Sequence, residues 1–173
     1  MGDFDAIVMS AVYEHLLPAE RKALLPELWR HLRPGGFLFI FQTPYRFFPL
    51  ESHTTRLPFI NYLPDRLTHR IVGLVSHRVG RGETWPDMLR RGIRGATDRE
   101  ILAILQSVPP PPILLEPSRL GLKDRIDLCV ALSGSARLPA LKRAAAFPIR
   151  CIRAATGHVC TPFISLALKK PQE

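Results

Sequence analysis

The chain has 173 residues, 46% of them hydrophobic and 23% charged, with a net charge of +9 and a pI near 10.2. These proportions suit a globular chain with a real core. Cys129, Cys151 and Cys160 are odd in number and lack C-x-x-C spacing, which excludes a disulfide framework and a cysteine zinc site. The N-terminus carries acids where a signal peptide carries bases, and no apolar run reaches spanning length, so a cytoplasmic location is expected. The positive balance favours anionic partners such as nucleic acid, an acidic membrane surface or phosphorylated substrates. Arg-heavy coding gives the same balance without any such partner.

In chain order, Ala6-Ile7-Val8-Met9 is a short apolar run behind Asp3 and Asp5, and Phe37 to Phe41 is a second. Runs of this kind on either side of a helix are what a parallel sheet covered on both faces requires. Between them, Leu24, Leu25, Leu28, Trp29 and Leu32 form one helical stripe, with Arg21, Lys22, Glu27 and Arg30 expected to point elsewhere. Pro18 suits the first turn and Glu20 the positive helix start. Pro34-Gly35-Gly36 supplies the stop, and Pro26 predicts a kink or a restart. The unit reads as a right-handed βαβ crossover.

FDAIVMSAVYEHL followed by LRPGGFLFIFQTP resembles the second half of a class I S-adenosylmethionine-dependent methyltransferase. In that family the fourth strand opens with Phe-Asp and runs into a Glu-His-Leu turn. The next helix ends at Lys/Arg-Pro-Gly-Gly before the fifth strand. The resemblance implies an α/β fold, a partial Rossmann-like methyltransferase sheet with strands equivalent to the fourth to seventh and helical insertions. The family holds its cofactor with a Gly-rich loop and an acid that both precede this part. The expectation is therefore a truncated or partner-dependent form carrying the substrate-side half.

Ligands of open α/β sheets bind at the carboxyl ends of strands, which places Ser10, Ala11 and Val12 at the crevice as cofactor-side residues. Glu14 and His15 follow at once and, with His53, are the candidate base or anchors for a substrate hydroxyl. A helix-start acid with a histidine packed under the turn is the plainer reading of the same pair. Some RNA 2′-O-methyltransferases of similar pattern hold magnesium with a further Glu three residues earlier. That position here is Ala11, and no metal is expected. S-adenosylmethionine is the implied cofactor.

The aromatic and proline-rich stretch 45–64 reads as an ordered loop at the carboxyl end of the second strand. It resembles a loop of small-molecule methyltransferases, with Tyr45, Phe48 and Glu51 as substrate-binding candidates. Glu51 and His53, two apart on an extended segment, are expected to point the same way. Asp65 to Arg81 reads as a helix with Leu67, Ile71, Leu74 and Val75 on one side and bases elsewhere. Such a helix packs on the sheet or lies on an anionic membrane. Gly80 to Gly95 is expected to be irregular, and Thr97-Asp98-Arg99-Glu100 to be a capping box.

Pro109 to Pro112 is a stiff separator. Ile113 to Leu115 and Phe163 to Leu168 read as strands, and Lys123 to Leu132 as a helix. Gly134 to Lys170 holds no acid but includes Arg137, Lys142, Arg143, Arg150, Arg153, Lys169 and Lys170. This is a single domain divided into a βαβ core (1–44), a loop and helical insertion (45–112), and basic helices with a closing strand (113–173). Three functions stay open: methyl transfer to a small-molecule, lipid or sugar acceptor; a non-catalytic methyltransferase-like remnant or regulatory partner; and a basic module for RNA or membranes. Nucleic acid is the unfavoured partner of these and peripheral membrane contact is allowed. Self-association, or an N-terminal complement, is expected through the strand Ala6 to Met9.

Overall fold

Two parallel strands and the helix that joins them set the frame. β1 (Phe4–Ser10) and β2 (Leu32–Pro44) pair in parallel, Ala6 opposite Phe37 and Met9 opposite Ile40, across the crossover helix α1 (Pro18–His31). The computed structural model describes residues 3–80, 82–118, 121–132 and 139–172. Arg81 and Arg137, both counted above, lie outside the described residues, as do the side chains of Lys142 and Arg143. β3 (Ile113–Leu115) and β4 (Phe163–Lys169) complete a four-stranded sheet in the order β1-β2-β4-β3, with β4 antiparallel to both neighbours. This is a mixed α/β sheet, consistent with part of a Rossmann-like methyltransferase fold.

The remaining helices are α2 (Asp65–Val75), α3 (Trp85–Arg90), α4 (Asp98–Gln106), α5 (Arg125–Leu132) and α6 (Pro139–Thr156). The main core lies between one face of the sheet and α1 with α4. Met9, Leu38, Ile40, Leu166 and Leu168 meet Leu25, Trp29, Ile101 and Leu105 there, all buried. The opposite face is covered only in part. Phe4 (53% exposed), Ala6 and Val8 (59% exposed) face outward from β1, beside half-buried Phe37, Phe39 and Phe41 of β2. Of the expected cover on both faces, this chain supplies one and a fraction of the other. A smaller core of Ile60, Val72, Val79, Met88 and Ile93 holds the 45–95 region together.

Several expectations from the sequence are corrected. α1 runs through Pro26 without a break, because the bond given up is to the carbonyl of exposed Lys22, where solvent can replace it. α2 ends at Val75 rather than Arg81, as Ser76 turns extended. Its buried positions are Thr68 and Val72, turned to the smaller core and not to the sheet, and Leu67, Leu74 and Val75 are exposed. The stretch 80–95 is not irregular throughout. Thr84 and Asp87 cap each other's backbone at the start of α3, and Pro86 sits in the first turn, where it needs no donor. α5 starts at Arg125, two residues after the expected Lys123.

Arg21 is also corrected: it is buried, not solvated. Its guanidinium donates to the carbonyls of Leu16, Glu14 and Gly95 and to the Glu100 carboxylate, and lies over the Tyr13 ring. Thr97 caps α4 as expected, but Glu100 does not close the box, because Arg21 and the Tyr13 hydroxyl claim its side chain. Removing Arg21 leaves three carbonyls without the donor it supplies, and Glu100 with the Tyr13 hydroxyl but no cation. Arg21→Met is expected to cost about 3 kcal/mol of unfolding free energy. A urea midpoint unchanged from the parent would refute that role.

Among the described residues of the acid-free tail, Arg150, Arg153 and Lys170 have partners. Arg150 and Arg153 pair with Asp124, and Arg150 also pairs with Asp127. Lys170 Nζ donates to the carbonyls of Trp29, Arg30 and Leu32, closing the C-terminus of α1. Asp124 also accepts from the backbone of Ile126 and Asp127, capping α5. Burial works to raise its carboxyl, but those amides and the two arginines outweigh it and hold the group below its ordinary value. A depressed carboxyl stabilises the fold above its unfolded pKa, and that contribution is lost as pH falls through the folded value. Stability should therefore fall below about pH 4. Asp124→Asn should remove part of that acid dependence; an unaltered acid limb in a pH series of urea melts would contradict it.

Candidate functional site

Strained backbone marks the end of β1 and a bulge inside β2, between Phe41, which pairs with Ser10, and Thr43, which still pairs with β4. Ala11 (φ 52°) and Gln42 (φ 61°) adopt left-handed conformations although neither is glycine, a cost the fold accepts at the mouth of the crevice. Ser10 Oγ donates to Gln42 Oε1 across this mouth, and Val12 is exposed beside it. Next comes a single 3₁₀ turn, Tyr13–His15. The bond from Arg21 to the Glu14 carbonyl holds that turn against α1.

Glu14 is fully buried. Its Oε2 accepts from Thr43 Oγ1 at 2.9 Å, while Oε1 has no hydrogen-bond partner. His15 Nε2 lies 3.8 Å from that oxygen. The Nδ1 of His15 is 2.6 Å from the carbonyl oxygen of Arg90. A carbonyl only accepts, so Nδ1 carries the hydrogen, and in the neutral ring Nε2 keeps its lone pair on the side of Glu14. His53, carried by the 51–55 turn, packs its ring against that of His15 at 5.4 Å between centroids. One ligand-capable atom from each of Glu14, His15 and His53 lies within 4.8 Å of the others. The three residues expected to do chemistry thus come together from two segments nearly forty positions apart.

His15 and His53 line a polar cleft of about 550 Å³ with Thr54, Arg78, Arg90 and Arg91, and Glu14 lies buried behind them. Arg90 pairs with Glu20 and Arg91 with Glu83, whereas Arg78 has no side-chain ion pair among the described residues. Gly92 makes the close approach possible. Its φ is +84°, and a Cβ there would lie 2.8 Å from His53 Cδ2 and 3.1 Å from Glu14 Cγ.

The other expected residues go elsewhere. Glu51 does not point with His53, because the segment is a turn and not extended. Its carboxylate accepts from the amides of His53, Thr54 and Thr55 and from the Thr55 hydroxyl, so it builds the turn that presents His53. Tyr45 is buried in the main core with its hydroxyl 3.4 Å from His158 Nδ1, and burial pushes that hydroxyl above its ordinary range. Phe48 packs against the same core. None of the three lines the cleft. Ser10 ends β1 with Ala11 and Val12 directly after it, and none of the three lines the cleft. The sequence reading missed Thr43, Gly92, Thr54 and the cleft arginines. Gly92 directly behind Arg90-Arg91 was the legible signal, a helix-terminal glycine in a tract read as plain connector.

Residues 1–40 match the family described as Methyltransferase domain. That stretch contains β1, the Glu14-His15 turn, α1 and most of β2. The match covers the first 40 of the 173 residues, so the similarity to a methyltransferase domain is that of this segment. The family works with S-adenosylmethionine, and the resemblance read from Phe4 to Pro44 holds over this segment. His53, Gly92 and the cleft arginines lie beyond the matched residues. No curated protein matches the sequence. Among the described residues no helix is long and apolar enough to cross a membrane.

Two glycines separate strain from crowding. Gly92 and Gly82 both have positive φ, but a Cβ at Gly82 would meet nothing within 4 Å. Gly82→Ala is expected to cost about 1 kcal/mol from backbone alone, and Gly92→Ala about 1–3 kcal/mol more. Thermal melts of the two variants check this; equal losses would mean His53 is not held against Gly92.

Proposed function

We propose that this chain forms the acceptor side of an S-adenosylmethionine-dependent methyltransferase acting on a small hydroxyl-bearing molecule, a sugar or a lipid head group, that carries negative charge. One observation carries the reading: Glu14, His15 and His53 converge beside the carboxyl end of β1, with both histidines on the wall of a cleft that three arginines also line. Bound S-adenosylmethionine supplies an electrophilic methyl group on a sulfonium. The chain's own residues bring the acceptor oxygen into line and accept its proton as the oxygen–carbon bond forms. Nε2 of His15, with its lone pair set by the Arg90 carbonyl, is the acceptor for that proton. Glu14 beside it steadies the charge that results. Arg78, Arg90 and Arg91 suit a phosphate or carboxylate on the substrate.

The donor side rests on the mouth formed by Ser10, Ala11, Val12 and Gln42, whose exposed backbone and apolar Val12 fit one wall of a nucleoside pocket. One wall gives weak binding. The remaining contacts come from residues outside these 173, and the outward face and free edge of β1 are where they would pack. In amide NMR spectra, millimolar S-adenosylhomocysteine should shift Ser10, Ala11, Val12 and Gln42 selectively, with no saturable tight binding by calorimetry. Shifts confined to other residues would sink the donor-side assignment. Tight one-to-one binding would sink the claim that further contacts are needed.

A further inference from the structure

We infer that Glu14, His15 and His53 form a binding site for a divalent cation of borderline character, such as zinc or cobalt(II), with an open coordination position facing the cleft. The first ground is an unmet charge. Glu14 is fully buried, yet Thr43 is the single hydrogen-bond donor to its carboxylate, and Oε1 has none. Arg21 reaches only the backbone carbonyl of Glu14 and leaves the carboxylate uncompensated. A buried carboxylate so placed is costly unless a cation or proton stands next to it.

The second ground is direction. With Nδ1 committed to the Arg90 carbonyl, Nε2 of His15 presents a lone pair to Glu14 Oε1 across 3.8 Å. Two acceptors facing each other need something positive between them. An imidazole whose far nitrogen donates to a carbonyl is also the arrangement that orients metal-binding histidines. The third ground is convergence. His53 comes from a separate turn, which Glu51 builds through four hydrogen bonds, and Gly92 leaves the room for its ring against Glu14.

The donor set names the cation. One carboxylate oxygen and two imidazole nitrogens suit zinc and its neighbours, while magnesium wants oxygens that Ala11 and the rest of the cluster do not offer. Zinc ligands at about 2.0–2.2 Å stand about 3.3 Å apart in a tetrahedron. The separations that involve His53, at most 4.8 Å, close by a rotamer change of its exposed side chain, and the 3.8 Å between Glu14 and His15 closes by a small shift of the partly exposed His15 ring. Three protein ligands leave the fourth position to a substrate oxygen, whose proton then leaves more readily; with the cation bound, the His15 lone pair is a ligand and the proton goes to solvent instead of to His15. That role rests on the acceptor-side reading above; the binding itself does not.

The test therefore uses no methyl donor and no acceptor. The full chain, stripped with a chelator, is titrated with cobalt(II) while visible absorption is followed, and with zinc by calorimetry. One equivalent is expected for each metal, with the cobalt band of a low-coordinate site. His53→Ala, on an exposed turn, and Glu14→Gln should weaken binding by about a hundredfold or more. His31→Ala, at the far end of α1, should bind as the parent does. Circular dichroism confirms that the variants fold, and His53→Ala decides alone if Glu14→Gln does not. No binding by the parent, binding retained in folded His53→Ala, or a preference for magnesium over zinc would each overturn the assignment. A metal site without methyl transfer would leave the assignment standing and count against the acceptor-side reading alone.

Discussion

Arg21 is the constraint on which the site depends. Its single guanidinium ties α1 to the Glu14 carbonyl, to the Gly95 carbonyl beyond α3, and to Glu100 in the first turn of α4. Those are the segments that flank the Glu14-His15 turn. Five donors in a rigid fork make arginine able to serve several acceptors at once, and lysine would serve them poorly. Burying such a charge is expensive, and the pairing with Glu100 offsets only part of that. The remainder comes from the main core, because Leu25 and Trp29 on the same helix seat α1 on the sheet whatever Arg21 does. Arg21 therefore contributes position more than stability.

The contrast with Glu14 is instructive. Both side chains are buried at the carboxyl end of the crossover unit, but Arg21 has its donors matched and Glu14 lacks a partner for one oxygen. Folded chains rarely leave a buried oxygen unmatched without a use for it. The surroundings of Glu14 are also arranged against relaxation. Thr43 fixes one oxygen, His15 is held through its far nitrogen, and Gly92 admits His53 so closely that any side chain at position 92 would collide. A pair of acceptors kept face to face by three independent restraints is a built feature and not loose packing.

How much of this was legible follows the range of each signal. The βαβ unit could be read because its signals are local: two apolar runs, a helical stripe and Pro34-Gly35-Gly36 all lie within about forty residues. The place of β4 beside β2 was legible only through the resemblance, since Phe163 to Leu168 alone could pair anywhere. Glu14 and His15 could be read because they sit where a parallel strand ends, and His53 because a histidine in a loop after the next strand faces the same crevice. The destination of Glu51 could not be read. Whether residues two apart point together depends on an extended backbone, and four hydrogen bonds curl that segment into a turn. Nor could the burial of Arg21 be read, because its partners Gly95 and Glu100 are more than seventy positions away. The basic tail misled for the same reason. Its Arg150 and Arg153 are answered by Asp124 and Asp127, which precede the acid-free stretch.

The two faces of the sheet differ in a way that bears on the site. The face under α1 and α4 is closed by buried leucine, isoleucine and tryptophan, and it fixes the turn that carries Glu14. The other face presents Phe4, Ala6 and Val8 to solvent and meets α5 only near Phe39, Phe41 and Ala167, around an apolar groove of about 320 Å³. A sheet edge and face this apolar is poorly matched to water. The crevice mouth, with strained Ala11 and Gln42, opens at the end of these same strands. Whatever covers that face also borders the mouth.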